Sequence, residues 1–327
     1  MPPTIHVDCL DLTLNNSSPY WNKKQCCQEG DKHTLSHLCG ELNATTLGNK
    51  SRVPGCSCID FMACKTVVLV ATSSNHWWES LDAVGSIQNM MPNTKIIVLD
   101  LGMWKSQVKQ TQRLRNVEIV KFPFYAFPPH LQTLMTCAWK PIAIQMMLSK
   151  YEVVLYLDAS IRLTSPLVRI LPDLQYFPLR LYSILRYDGA YTMEETYEYL
   201  SITRKQVSKL YQKEGGFQLY RNCSLLHERI LSHLVDCALH EECIAPPGSS
   251  PLGCDLKKYE EQVENIEKID VIENIGCHRF DQSAMTSILE REFHLPNDSP
   301  IADGTDSEQM RIVLRDTTKC FTLYLDY

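Results

Sequence analysis

Asp158 and Ser160 stand two residues apart at the end of the apolar run Val153-Val154-Leu155-Tyr156-Leu157. A short run rich in β-branched residues predicts a central strand covered on both faces. Its carboxyl end is where open α/β sheets hold nucleotides and phosphorylated ligands. A carboxylate delivered there suits a hard divalent cation, Mn2+ or Mg2+, since such ions take one or two protein carboxylates plus substrate phosphates. Asp158 could also do no more than cap the next turn. A second pair, Asp281-Gln282, comes after Cys277-His278-Arg279 at the start of a helical pattern. The plain account of that aspartate is a carboxylate favoured by the helix dipole.

The elements that must position these groups begin at Lys65, where strand and helix signals start to alternate. Lys65 to Ala71 is a strand pattern, and Thr72-Ser73-Ser74-Asn75 is a turn with capping residues. A helix is predicted over Trp78 to Met91, a strand over Lys95 to Leu99 closing at Asp100, a helix over Lys105 to Leu114 and a strand over Val117 to Phe122. The helix Trp139 to Ser149 then feeds the Asp158 strand. Strands separated by helices imply right-handed βαβ crossovers, hence an α/β fold with a mixed, mainly parallel sheet and helices on both faces. Further on, the patterns predict a strand at Leu181 to Leu185, a polar helical region from Met193 to Lys213, and a turn at Gly215-Gly216 entering a strand. A helix over Leu225 to Leu239, an acidic helix over Leu256 to Ile266 and a helix over Phe280 to Arg291 complete the pattern.

A chain of 327 residues, 44% of them hydrophobic, can bury one large core or two smaller ones. With a formal net charge of −6 and no basic stripe, it lacks the footprint of a nucleic-acid groove. Its 14 cysteines are many for a reducing compartment. Asn15, Asn16, Asn43, Asn49, Asn222 and Asn297 each begin an Asn-x-Ser/Thr triplet. Together these point to a lumenal protein of the Golgi or endoplasmic reticulum, or a secreted one. Residues 1 to 20 hold no apolar core of signal length, and no run reaches about 18 apolar residues. Either the chain is a fragment parted from an amino-terminal anchor, or its thiols are reduced in the cytosol; triplets and cysteines favour the fragment.

Residues 1–64 carry Cys9, Cys26, Cys27, Cys39, Cys56, Cys58 and Cys64 with little periodicity, so they read as a disulfide-tied stem ahead of a domain over 65–327. Zinc is the competing reading, but no pair of Cys-x2-Cys knuckles is present. His33 and His37 fit a solvated polar segment. Among Cys223, Cys237, Cys243, Cys254, Cys277 and Cys320 the pairing cannot be read from spacing. Cys137 is either a buried thiol or a partner for a stem cysteine.

Four motifs in order, Lys140, Tyr156-Leu157-Asp158-Ala159-Ser160, Gly215-Gly216-Phe217 and Asp281-Gln282, give the chain a family likeness. From roughly Lys65 to Leu289 it resembles the GT-A class of nucleotide-sugar glycosyltransferases, most closely the family of glycogenin and the bacterial galactosyltransferases. It is also similar to animal families of unassigned function whose strand ends Asp-Ala-Ser. The resemblance implies that Asp158 contacts the donor ribose or a metal, with Ser160 standing where the family has a second, bidentate aspartate. It implies that Lys140 touches the donor's phosphates and sugar, with Arg162 a similar candidate. Gly215 and Gly216 would let the backbone approach sugar or acceptor, and Asp281 and Gln282 would face the transferred sugar. The family's late metal-binding histidine string is absent, and His278 and His294 are the nearest substitutes.

As to activity, the resemblance implies a hexosyltransferase using a nucleoside-diphosphate sugar and a glycan or protein acceptor. The glycogenin likeness implies retention of configuration, whereas an inverting route would need a base such as Asp281. Two other readings stand beside it. A non-catalytic lumenal binding protein would explain the lost aspartate and histidine, and a cytosolic Rossmann enzyme would need a Gly-x-Gly-x-x-Gly that the first strand does not precede.

Overall fold

The computed structural model describes residues 64–166, 174 and 178–294, and the backbone of 313–315. The cysteine-rich stretch 1–63 with its histidines, five of the six glycosylation triplets and Cys320 lie outside the described residues.

The chain alternates β1 (Thr66–Thr72), α1 (Trp77–Met90), β2 (Lys95–Asp100), α2 (Lys105–Thr111), β3 (Val117–Lys121), α3 (Trp139–Leu148) and β4 (Val153–Asp158). Then come β5 (Ile161–Leu163), β6 (Leu179–Arg180), β7 (Ser183–Tyr187), β8 (Tyr211–Lys213), β9 (Phe217–Arg221), α4 (Ser232–Leu239), α5 (Leu256–Glu264), α6 (Asp281–Phe293) and β10 (Val313–Arg315). Six strands form one sheet in the order β3-β2-β1-β4-β9-β6. The first four run parallel, as the βαβ pattern requires. β9 is antiparallel to β4 and to β6, so the sheet is mixed but mainly parallel. β7 and β8 make a separate two-stranded ribbon, and β10 pairs with β5.

Strand periodicity sorts the apolar side chains onto two faces. Val67 and Leu69 of β1 and Val154 and Tyr156 of β4 share a core with Ile142 and Ala143 of α3 and with Met285 and Ile288 of α6. Val68, Val70, Val153, Leu155 and Leu157 face the other way, onto Ala83, Val84 and Ile87 of α1. Both faces are therefore covered, which explains why these strands read as unbroken apolar runs rather than alternating ones. The pleat also fixes the site: Asp158 is in phase with Val154 and Tyr156, on the α3 and α6 side.

The region Met193–Lys213 departs from its helical expectation. It holds short helices at Glu194–Tyr199 and Arg204–Val207, then β8. Ser201 takes φ 55°, a left-handed backbone that ends the first helix, and the edge of β7 recruits Tyr211–Lys213 as its partner. The strand expected at Leu181–Leu185 falls instead as β6 and β7 on either side of Leu181 and Tyr182. The helix over 225–239 is present, with a π-helical turn at His227–Leu231.

Two disulfides close within the described residues, Cys237–Cys243 and Cys254–Cys277, while Cys137 is a free thiol. Asn222 serves packing: its Nδ2 donates to the Leu148 carbonyl at 2.6 Å and its Oδ1 lies 2.8 Å from Nε2 of His227. A glycan would have to occupy that same Nδ2, so this triplet is better explained by the fold. Among the described residues no helix is long and apolar enough to cross a membrane.

Candidate functional site

The carboxyl end of β4 and the amino ends of α3 and α6 converge on one face of the sheet. Lys140 enters from the first turn of α3 and Asp281 is the first residue of α6. Both approaches are strained: Cys137, three residues before Lys140, has φ 54°, and Phe280, immediately before Asp281, has φ 48°. A non-glycine residue held in such a region costs about 1–3 kcal/mol, and such residues gather at functional sites.

At the centre is the Lys140 ammonium, on a residue only 3% exposed. It donates to Asp281 Oδ2 at 2.8 Å and to the Gly215 carbonyl at 3.0 Å, lies 3.6 Å from Asp158 Oδ1, and stands 4.9 Å from the centre of the Tyr156 ring. Burial alone pulls a lysine pKa down, but Asp158 and then Asp281 outweigh it, and Lys140 is held well above its ordinary value. The group is thus a fixed cation at neutral pH. Burial lifts Asp281 above the usual carboxylate range against the pull of Lys140. Tyr156, in phase with Asp158 on β4, donates its hydroxyl to Asp158 Oδ1 at 2.6 Å. Burial, with Asp158 beside it, keeps that phenol protonated far above its ordinary range.

Gly215 is required by close approach. A Cβ there would stand 3.0 Å from Asp281 Oδ2, 3.2 Å from Gln282 Cγ and 3.4 Å from Lys140 Nζ. Gly216 continues the strand ladder: its carbonyl accepts from the Asp158 amide at 2.8 Å, and its own amide donates to Glu214 Oε1 at 2.9 Å. The antiparallel direction of β9 is what brings this loop to the end of β4, with Leu157 opposite Phe217.

These groups floor a cavity of about 610 Å³, within the range of small-molecule sites (about 300–1,000 Å³). Ile184, Leu185 and Arg186 of β7 form one wall, and Glu214, Arg279 and Gln282 another. Gln282 is steadied by an Nε2 bond to the Lys213 carbonyl at 3.0 Å. Cys137 also lines the cavity, but burial pushes its thiol up to about 12 despite Lys140, so it is neutral and no nucleophile at physiological pH.

Lys140, Asp158, Gly215, Asp281 and Gln282 are therefore brought together as the sequence suggests; four other candidates are not. Arg162 is fully buried and turned under the sheet, donating to the carbonyls of Ala159 and Ile161 at 2.5 and 3.1 Å and lying 3.6 Å from Asp82 on α1. It holds the β4–β5 turn instead of facing a donor. Ser160 sits in that turn and is not part of the cavity wall. His278 is buried with both ring nitrogens taken: the Met193 amide donates to Nδ1 at 3.3 Å, and Nε2 lies 3.1 Å from the Ile244 carbonyl. Burial holds that imidazole down at about 4, so it is a neutral packing residue and not a metal ligand. His294, at the end of α6, lies 3.7 Å from Glu290 and is exposed.

The two carboxylates of the floor are committed to partners among the described residues, which leaves a divalent cation poorly served. Among the described residues no three His, Cys, Asp or Glu side chains form a group that could hold a metal. Asp158 already accepts from Tyr156 and faces an ammonium, and Asp281 is taken by that ammonium. Arg186, Glu214 and Arg279 are the site residues that sequence reading missed. Arg279 had a visible signal, standing just before the Asp281-Gln282 pair, whereas Arg186 and Glu214 had none.

A family model described as "Protein of unknown function (DUF1647)" matches residues 20–145. No curated protein matches the chain. Among solved structures it is similar to the galactosyltransferase LgtC in complex with donor and acceptor sugar analogs, at 18% identity over 68% of this chain and 70% of that one, TM-score 0.36. It is also similar to mouse xyloside xylosyltransferase 1 in its apo form, at 10% identity over 70% and 82% of the two chains, TM-score 0.39. Core-mannan synthase A from Aspergillus fumigatus, in its Mn/GDP form, is similar at 8% identity over 82% and 83%, TM-score 0.42.

Proposed function

We propose that the chain is a glycosyltransferase that moves a hexose from a nucleoside-diphosphate sugar to a glycan or protein acceptor. The observation that carries this reading is the Lys140 ammonium, fixed between Asp158 and Asp281 on the floor of the cavity at the carboxyl end of the sheet. When the bond from the sugar's anomeric carbon to the diphosphate breaks, the departing oxygen gains negative charge. A cation already aimed at that charge needs no reorganisation, and removing one such contact typically costs about 10²–10³ in rate. Asp158 orients the donor, Asp281 holds Lys140 in place, and Gln282 faces the transferred sugar. The four-motif likeness to GT-A enzymes supports the same assignment, and the two disulfides support a lumenal or secreted setting.

A non-catalytic binding protein of the same fold is the second reading, favoured by Ser160 in the family's aspartate position and by the engaged ring of His278. The two separate on turnover. A panel of nucleoside-diphosphate sugars is offered with a mixed glycan acceptor pool, and free diphosphate and labelled product are measured for wild type and Asp158→Ala. Product from one donor, lost in the variant, supports the transferase. Donor-dependent thermal stabilisation without product from any acceptor establishes the binding protein instead.

A further inference from the structure

Two guanidinium groups line the cavity beside Lys140. Arg186 comes from β7 and Arg279 from the loop before α6, and their Cζ atoms lie 5.6 and 5.7 Å from the centre of the same Tyr191 ring. Among the described residues neither reaches a carboxylate at ion-pair distance. Nε of Arg279 is buried with no hydrogen-bond partner. Burial, and after it the like charge of Arg186, pulls the Arg279 pKa below its ordinary value, against a weaker opposing pull from Tyr191 and from Glu214 across the cavity. Two like charges gathered on one ring, one of them with an idle buried donor, are partly offset by Glu214 and would be stabilised further by a ligand that brings negative charge. Guanidinium forks match phosphate oxygens bidentately.

The acidic side of the cavity is committed in the opposite sense. A divalent ion drawn to Asp158 would stand against the Lys140 ammonium 3.6 Å from that carboxylate, with neither Ser160 nor His278 placed to help hold it. We infer that the site binds the diphosphate of its nucleotide ligand through Arg186, Arg279 and Lys140 in place of a divalent cation, so that binding persists when metal is removed. This inference rests on the glycosyltransferase reading above and names how that site meets its ligand's charge.

The test is isothermal titration of UDP and of GDP, each in excess EDTA and again in MnCl2, with wild type, Arg186→Gln, Arg279→Gln and the double variant. Circular dichroism confirms that each variant is folded. The expected result is a Kd in EDTA within about threefold of that in manganese, and a weakening of about tenfold or more for each arginine removed. Binding that needs manganese overturns the inference and leaves the transferase standing. Metal-free binding that survives the double substitution overturns it as well. A folded wild type that binds neither nucleotide under either condition overturns the transferase reading itself, and the inference with it.

Discussion

Replacing Lys140 by methionine keeps most of the side chain's bulk and removes the charge at the centre of the site. Asp281, 6% exposed, then loses the ammonium at 2.8 Å that compensates its burial. Breaking a buried pair from one side costs about 3–5 kcal/mol, because the remaining charge is uncompensated. The loss depends on pH in a definite direction. Burial already raises Asp281 above its ordinary range, and without Lys140 it rises further. A carboxyl whose folded pKa lies above its unfolded value contributes most below the unfolded value, and that contribution is lost as pH rises through the folded pKa. Lys140→Met should therefore show its full loss at pH 8 and a smaller one at pH 5. Lys140→Met/Asp281→Leu removes the stranded charge and should recover most of the stability at pH 8. Urea unfolding monitored by tryptophan fluorescence measures wild type and both variants at each pH. A single variant within 1 kcal/mol of wild type at pH 8, or a double variant no better than the single, would refute the buried-pair reasoning.

Gly215→Ala places a Cβ 3.0 Å from Asp281 Oδ2, so the buried pair must give way: the variant should lower kcat/KM by about tenfold or more and lower the urea midpoint as well. Asp188 is fully buried, accepting from Tyr197 at 2.7 Å and from Gln212 and Thr192 at 3.0 Å, and burial raises it to about 6. Its contribution is present near pH 4 and lost as pH rises through about 6. Between pH 4 and pH 6 wild type should lose about 2 kcal/mol that Asp188→Asn does not, read from urea midpoints across the pH series. Replacing Cys254 and Cys277 together by alanine opens a loop of 23 residues in sequence separation. It should cost about 3 kcal/mol in calorimetric unfolding and weaken nucleotide binding through the attached Arg279 segment.

The sheet was legible because its parallel strands are buried on both faces: Val67–Val70 and Val153–Leu157 are apolar throughout, and the capping and proline signals between them mark the helices. The direction of β9 was not, since a buried run such as Phe217–Arg221 looks the same whichever way it lies against β4. Lys140, Asp158 and Asp281 were legible because each stands at an element's end on the ligand-binding edge. Arg162, Ser160 and His278 misled because spacing says nothing of where a side chain turns. The His278 ring is claimed by Ile244 and Met193, 34 and 85 residues away in sequence. Arg186 and Glu214 reach the cavity from the β7–β8 ribbon and the loop after it, where no pattern marks a side chain as inward.

Hydrogen exchange in the presence of the donor identified by turnover tests most directly that this cavity is where the reaction occurs. Slowed exchange confined to the segments around Cys137–Lys140, Ile184–Arg186, Glu214–Gly216 and Arg279–Gln282 is the expected result. Protection elsewhere on the chain, with these four segments unchanged, would contradict it.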